Sequence, residues 1–340
     1  MPTVLDVAKR AGVAPITVSR VINNSGYISL LTRQRVEEAV KELGYVPNTL
    51  ARGLRSKRTH TLALIVTDIT NPYFTLMARG VEDVAGNSNY TVVYCNTDES
   101  ESKEEKYVNI LAQKQVDGVL LVPACGNAAS IKFLKSNDIA VVVLDRRVSG
   151  AKTDFVRSDS ENGAYRLIKL LIGLGHKQIA IVTGPKDVST AVDRVTGYQH
   201  ALSEAGLLES ESVYYGEFNQ ISGYELTMQA MSHSPRPTAM FGANNFIMVG
   251  IIKALRELKL SVPEDVSVVG FDDFPESMLV KPFFTAAAQP AYEMGRLAAE
   301  ILLKRISSEL SEEYQEHILQ TEIIERESSG PVNAHLSQQV

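Results

Sequence analysis

From residue 61 onward, apolar runs of strand length alternate with amphipathic helical segments, and this alternation constrains the fold more than any other feature. Leu62 to Thr67, Thr91 to Cys95, Val119 to Val122 and Val141 to Leu144 form one set of runs; Ile179 to Val182, Ala239 to Phe241 and Val266 to Gly270 form a second. A strand that is apolar on both faces needs helices on both sides, so the pattern predicts buried parallel sheets in an α/β fold. The runs divide near residue 160, which predicts two doubly wound lobes with a ligand crevice at the carboxyl ends of their strands.

The first 58 residues read differently. Thr3 with Asp6 predicts a helix start, and Val4, Val7, Ala8 and Ala11 supply its apolar stripe up to Gly12. Pro15 suits the first turn of a second helix, where its missing N–H has no partner to lose; Val18, Val21 and Ile22 face inward and Ile16, Arg20 and Asn23 outward. Thr32 is expected to cap a third helix carrying Val36, Ala39, Val40 and Leu43, which stops at Gly44. Two short helices joined by a tight turn, with a third behind them, describe a helix-turn-helix module.

Charge supports that assignment. Residues 1 to 58 carry ten Lys/Arg and four Asp/Glu, whereas the rest carries 24 and 36, within a chain of net charge -6. Phosphate contacts are therefore expected from the basic end, because the acidic remainder repels them. Asn48 to Ser56 follows Pro47 with Leu50 and Leu54 among Arg52, Arg55, Lys57 and Arg58. An apolar side chain flanked by arginines suits a minor-groove wedge, and a segment this short forms a helix only when something buries it.

Other classes find little support. The only cysteines, Cys95 and Cys125, make no disulfide framework, and no Cys/His cluster has metal-ligand spacing, so no metal or other cofactor and a reducing cytoplasmic location are expected. Asp6, Lys9 and Arg10 interrupt any secretory signal, and no apolar run nears a membrane span. There is no G-x-S-x-G elbow or P-loop; Gly184-Pro185 is a weak phosphate-loop candidate, and Asp272-Asp273 lacks a nucleophile or metal. The six histidines, His60, His176, His200, His233, His317 and His335, are expected on loops or surfaces. No catalytic set and no enzyme is expected.

Polar and aromatic residues gather instead just beyond the strands: Asp68, Asn71, Tyr73 and Phe74, then Asp145 and Arg146, then Arg194, Phe218, Asn244 and Asp272, with Gln289 before a final helix. Carboxylates, amides and guanidinium groups satisfy hydroxyls while aromatic faces cover C–H groups, a mixture suited to a polyhydroxyl ligand.

Val4-Leu-Asp-Val-Ala-Lys-Arg-Ala-Gly-Val13, Thr17-Val-Ser-Arg-Val-Ile-Asn-Asn24, Leu43-Gly-Tyr-Val-Pro-Asn48 and Ala51-Arg-Gly-Leu54 together resemble the LacI/GalR repressor family. Val116-Asp-Gly-Val119, Gly197-Tyr198 and Val269-Gly-Phe-Asp272 extend the likeness over nearly the whole chain. The resemblance implies a headpiece over 1–46, a hinge helix over 47–58 and a periplasmic-binding-protein-like effector and dimerisation core over 59–340, with an N-lobe of about 60–160 plus 291–322 and a C-lobe of about 161–290. It implies DNA contacts at Thr3, Pro15, Ile16, Thr17, Ser19, Arg20 and Asn23, and at Ala51, Arg52, Leu54 and Arg55 of the hinge. Pro15 and Ile16 depart from the polar residues common in the family, which leaves thymine methyl contact and Arg20 to guanine as the readout. A homodimer on a pseudo-palindromic operator follows; residues 328–340 lack the leucine heptad of a tetramer-forming tail.

The cleft residues Asn71, Tyr73, Phe74, Asp145, Arg146, Arg194, Phe218, Asn244, Asp272 and Gln289 also resemble the set of the D-ribose-binding proteins, with Tyr73 in place of Phe. That likeness implies a sugar effector, D-ribose first, for a repressor of carbohydrate-utilisation genes. A fructose-type sugar, a phosphoprotein corepressor and a sugar-binding protein without a DNA role are the alternatives. Asn245 stands where many family members carry Asp.

Overall fold

The computed structural model describes residues 2–22, 24–46, 58–274, 283–310 and 313–333, and its chain divides into a unit of residues 1–59 and a unit of residues 60–340. In the first unit, α1 (Val4–Ala11), α2 (Pro15–Ile22) and α3 (Leu30–Leu43) enclose a small core of Val7, Ala8, Ala11, Val18, Val21, Val36 and Ala39. Thr3 and Asp6 close α1 with a reciprocal capping box, Asp6 N donating to Thr3 Oγ1 and Thr3 N to Asp6 Oδ2, and Gly12 ends it at φ 65°. The cap of α3 departs from the expected Thr32. Ser29 accepts from Thr32 N, so the helix begins a turn earlier; both residues are hydroxyl-bearing, and the apolar Leu30 and Leu31 between them hide the start.

The second unit is built of two six-stranded sheets. The N-lobe sheet has the order β11-β5-β4-β3-β1-β2, all parallel, from β1 (Thr61–Val66), β2 (Thr91–Asn96), β3 (Gly118–Leu121), β4 (Ala140–Leu144), β5 (Asp154–Ser158) and β11 (Glu316–Leu319). Its helices are α4 (Pro72–Asn87), α5 (Glu101–Gln113), α6 (Ala129–Ser136) and α11 (Ala291–Ile306). The C-lobe sheet has the order β12-β10-β9-β8-β6-β7 and is parallel except for β12. It comprises β6 (Ile179–Thr183), β7 (Ser212–Tyr215), β8 (Ala239–Gly242), β9 (Ser267–Phe271), β10 (Thr285–Ala288) and β12 (Glu322–Ile324), with α7 (Ser160–Gly173), α8 (Ser189–Glu204), α9 (Gln220–Ser232) and α10 (Asn245–Glu257).

The chain crosses between lobes three times, at 158–160, 288–291 and 319–322. The N-lobe is thus completed by α11, whose Met294, Ala298 and Leu302 pack with Leu62, Leu64 and Leu120 of the sheet. Backbones meet there: a Cβ on Gly80 of α4 would stand 2.1 Å from Tyr292 O, and one on Gly295 of α11 would stand 2.0 Å from Met77 O. Only glycine fits at such approaches. After β12 the chain runs along the C-lobe, with Ser328 Oγ donating to Val268 O and Val332 N to Leu174 O.

His176 lies on a loop, as expected, but is buried. It is 2% exposed, with Nδ1 2.9 Å from Thr238 Oγ1 and Nε2 3.0 Å from Gly330 O and 3.1 Å from Ser267 Oγ. Burial pushes its pKa down, so the neutral ring ties the carboxyl-terminal strap to the lobe. Among the described residues, no helix is long and apolar enough to cross a membrane.

Candidate functional site

In the first unit, α2 buries Val18 and Val21 and leaves Pro15, Ile16 and Arg20 exposed, with Thr17 and Ser19 half-buried. Ile16 is 53% exposed although apolar. Thr3 is committed to the α1 cap, its hydroxyl donating to Asp6 Oδ2 at 2.7 Å. Asn23 and the hinge residues Ala51, Arg52, Leu54 and Arg55 lie outside the described residues.

In the second unit, the ten expected cleft residues line a single cleft of about 380 Å³ between the lobes, joined by Asp68, Glu99 and Thr190. The two sheets contribute in the same way. Asp145 follows β4 with φ 65° and Asp272 follows β9 with φ 67°, a left-handed conformation that Asp tolerates and that turns each carboxylate off the end of its strand. The Asp145 amide donates to Val156 O and the Asp272 amide to Ala287 O, each held by the next strand of its own sheet. Asn71 caps α4 by accepting from Tyr73 N at 3.0 Å, and Asn244 caps α10 by accepting from Ile247 N at 2.8 Å.

Tyr73 Oη donates to Asp145 Oδ1 at 2.8 Å, so the extra hydroxyl occupies one acceptor position of that carboxylate. Burial and the nearby carboxylates hold its pKa well above the phenolic range. The Tyr73 and Phe74 rings meet edge to face at 5.0 Å. Opposite them, Phe218 lies so close to Gly184 that a Cβ there would be 2.3 Å from the ring. The Gly184-Pro185 turn thus seats an aromatic ring.

The two arginines are buried and only partly satisfied. Arg194 lies 3.9 Å over the Phe271 ring and donates Nη1 to Ala243 O at 2.5 Å. Arg146 donates to both Glu99 oxygens at 2.6 Å and to Pro123 O at 3.0 Å. Burial works against its charge, but the Glu99 and Asp145 carboxylates outweigh that and raise its pKa. Nε of both Arg146 and Arg194 is buried without a hydrogen-bond partner among the described residues. Buried unsatisfied donors are costly, and a ligand oxygen is what would satisfy them. Desolvation lifts Asp272 to about 6, against the pull of Arg194. Gln289 donates to its Oδ1 at 2.5 Å and accepts from Ser158.

Glu99 and Thr190 were not expected. Glu99 lies in an acidic stretch that reads as solvated charge, and Thr190 lies in a Ser-Thr pair that reads as a helix cap.

A basic helix-turn-helix unit joined to a two-lobed core with a polar cleft defines a ligand-responsive DNA-binding transcription regulator. Residues 3–48 match the bacterial regulatory proteins of the lacI family and residues 168–329 the periplasmic binding protein-like domain, and the chain belongs to the LacI family. It is 36% identical over 308 residues to the HTH-type transcriptional repressor PurR of Aliivibrio salmonicida, covering 90% of this chain and 92% of that one. It is equally 36% identical over 309 residues to the ribose operon repressor of Escherichia coli K12, covering 90% and 94%. These relatives are transcriptional repressors rather than enzymes. The crystal structure of the Lac repressor dimer bound to operator and the anti-inducer ONPF superposes with a TM-score of 0.84 at 26% identity, covering 97% of this chain and 99% of that one.

Proposed function

We propose that this protein is a dimeric repressor of carbohydrate-utilisation genes that binds a pseudo-palindromic operator and is released from it by D-ribose. The observation that carries the effector is the cleft: two strand-end carboxylates, two buried arginines with idle Nε groups, two capping amides and facing aromatic rings. Hydroxyls donate to Asp145 and Asp272, Arg146, Arg194 and Asn244 donate to ring and hydroxyl oxygens, and Phe74 and Phe218 cover the apolar faces. The name of the 36% identical ribose operon repressor supports ribose, and the equal identity to PurR leaves the weight on the cleft chemistry.

On DNA, α2 enters the major groove with Pro15, Ile16, Thr17 and Ser19 against base methyls and phosphates and Arg20 on guanine, while Leu54 wedges into the minor groove between Arg52 and Arg55. The lobes carry exposed apolar side chains suited to a two-fold interface: Ile69, Leu76, Val93 and Tyr94 on one lobe and Ile221 and Leu258 on the other. Calorimetry with D-ribose, D-fructose and hypoxanthine, followed by gel shift on palindromic fragments, tests the reading. Binding of D-ribose with loss of the shifted band is expected. Tighter binding of fructose or hypoxanthine overturns the effector, and shift without a discrete palindromic site overturns the regulator.

A further inference from the structure

Glu99 lies just beyond β2 in an unusual backbone: Asp98 at φ 50° and Glu99 at φ 56° are consecutive left-handed residues. Asp tolerates that conformation, but Glu holds it at a cost that its surroundings must offset. Here Asn96 Nδ2 donates to Asp98 Oδ1 at 2.5 Å, Lys103 pairs with Asp98, and Glu99 N donates to Thr67 O at 3.3 Å. The loop thereby delivers the Glu99 carboxylate to the cleft wall. Its Oε1 and Oε2 each take one terminal nitrogen of Arg146 at 2.6 Å.

That pairing fills the end-on edge of the guanidinium, one of the two edges with which an arginine grips a phosphate. What remains to a ligand is the side edge, Nε and the second N–H of Nη2, with Asp145 Oδ2 already 3.9 Å from Nε. The lining as a whole carries Asp68, Glu99, Asp145 and Asp272 against Arg146 and Arg194, an excess of negative charge. A dianion entering such surroundings loses its hydration and meets repulsion, whereas a neutral hydroxyl finds acceptors.

We infer that Glu99 is a specificity residue that makes the cleft accept an uncharged sugar and reject its phosphate ester. This rests on the sugar-effector reading above and deepens it. The regulator then senses the sugar before a phosphoryl-transfer reaction adds phosphate, and the kinase that consumes the sugar also ends the signal.

The test uses full-length protein, wild type and the Glu99→Gln and Glu99→Ala variants, with D-ribose, D-ribose 5-phosphate and inorganic phosphate followed by thermal shift and calorimetry. Gln keeps the shape of the side chain, so loss of fold does not obscure the result. Wild type is expected to respond to D-ribose alone, and both variants to gain affinity for ribose 5-phosphate by about tenfold or more, the size of one charge-assisted contact. Wild type binding the phosphate ester as tightly as the sugar overturns the inference. So do variants that lose sugar affinity without gaining any for either phosphate, since Glu99 would then merely brace Arg146. If no ribose binds wild type but inorganic phosphate stabilises the variants alone, the choice of ribose fails and the role of Glu99 stands.

Discussion

Asn245 Nδ2 donates to Asn71 Oδ1 at 2.9 Å, linking the first residue of α10 in one lobe to the cap of α4 in the other. Both side chains are buried, at 0% and 4% exposure. An ionised Asp, the residue common at position 245 in the resembling family, has no proton to donate. The neutral amide makes the cross-lobe bond without placing a charge there. Arg147 makes the second tie, its N–H donating to Ser189 Oγ at 2.8 Å and its guanidinium pairing with Asp193.

Asn245→Ala should loosen the approach of the lobes. Losing one hydrogen bond and leaving Asn71 with fewer partners costs the joined arrangement about 1 kcal/mol, or about fivefold in sugar affinity. Calorimetry checks this; unchanged affinity would show that the bond does not favour the ligand-binding arrangement.

Sugar binding should depend on pH through Asp272. Its pKa of about 6 in the empty cleft means that the carboxylate, the better acceptor, is lost as pH falls through 6. Affinity should then decline by up to about tenfold per pH unit below that point. The sign for the ligand-free protein is opposite. Its raised pKa makes the folded state bind more protons than the unfolded one between about 4 and 6, so Asp272 contributes more stability as pH falls across that window. Asp272→Asn should bind sugar more weakly and with a flat profile, measured by titration at a series of pH values.

Gly184→Ala should disable the cleft without unfolding the lobe. The added methyl must displace the Phe218 ring, 2.3 Å from its position, and that ring lines the cleft. Sugar affinity should fall by about 10- to 100-fold, in line with overpacking costs of roughly 1–3 kcal/mol, while operator binding persists. Parallel calorimetry and gel shift read the two separately.

The central strands were legible because burial on both faces leaves unbroken apolar runs, Leu62 to Val66 in β1 and Val119 to Leu121 in β3. β5, Asp154-Phe-Val-Arg-Ser158, has only two apolar residues flanked by polar ones, and β10 is Thr285-Ala-Ala-Ala288, whose small side chains carry weak strand preference. The cleft acids were legible as residues that follow strands. Glu99 was not, since its position depends on two left-handed residues and on a partner 47 residues away, neither of which leaves a local trace. His176 was hidden for a similar reason: what buries it is a strap that arrives 154 residues later.

Arg20→Ala should separate specific from general DNA affinity. A lost arginine–guanine contact costs about 1–3 kcal/mol on the operator, while random DNA loses only the charge. Equal losses on both, measured by salt-matched fluorescence anisotropy, would assign Arg20 to the phosphates.

Three strands of chain join the lobes, and Gln289 sits on one of them with its side chain bonded to Ser158 on another. Three struts side by side resist twisting more than folding, as a wide door hinge does. Gln289 also lines the cleft, so the wall of the cleft and the pin of the hinge share one side chain.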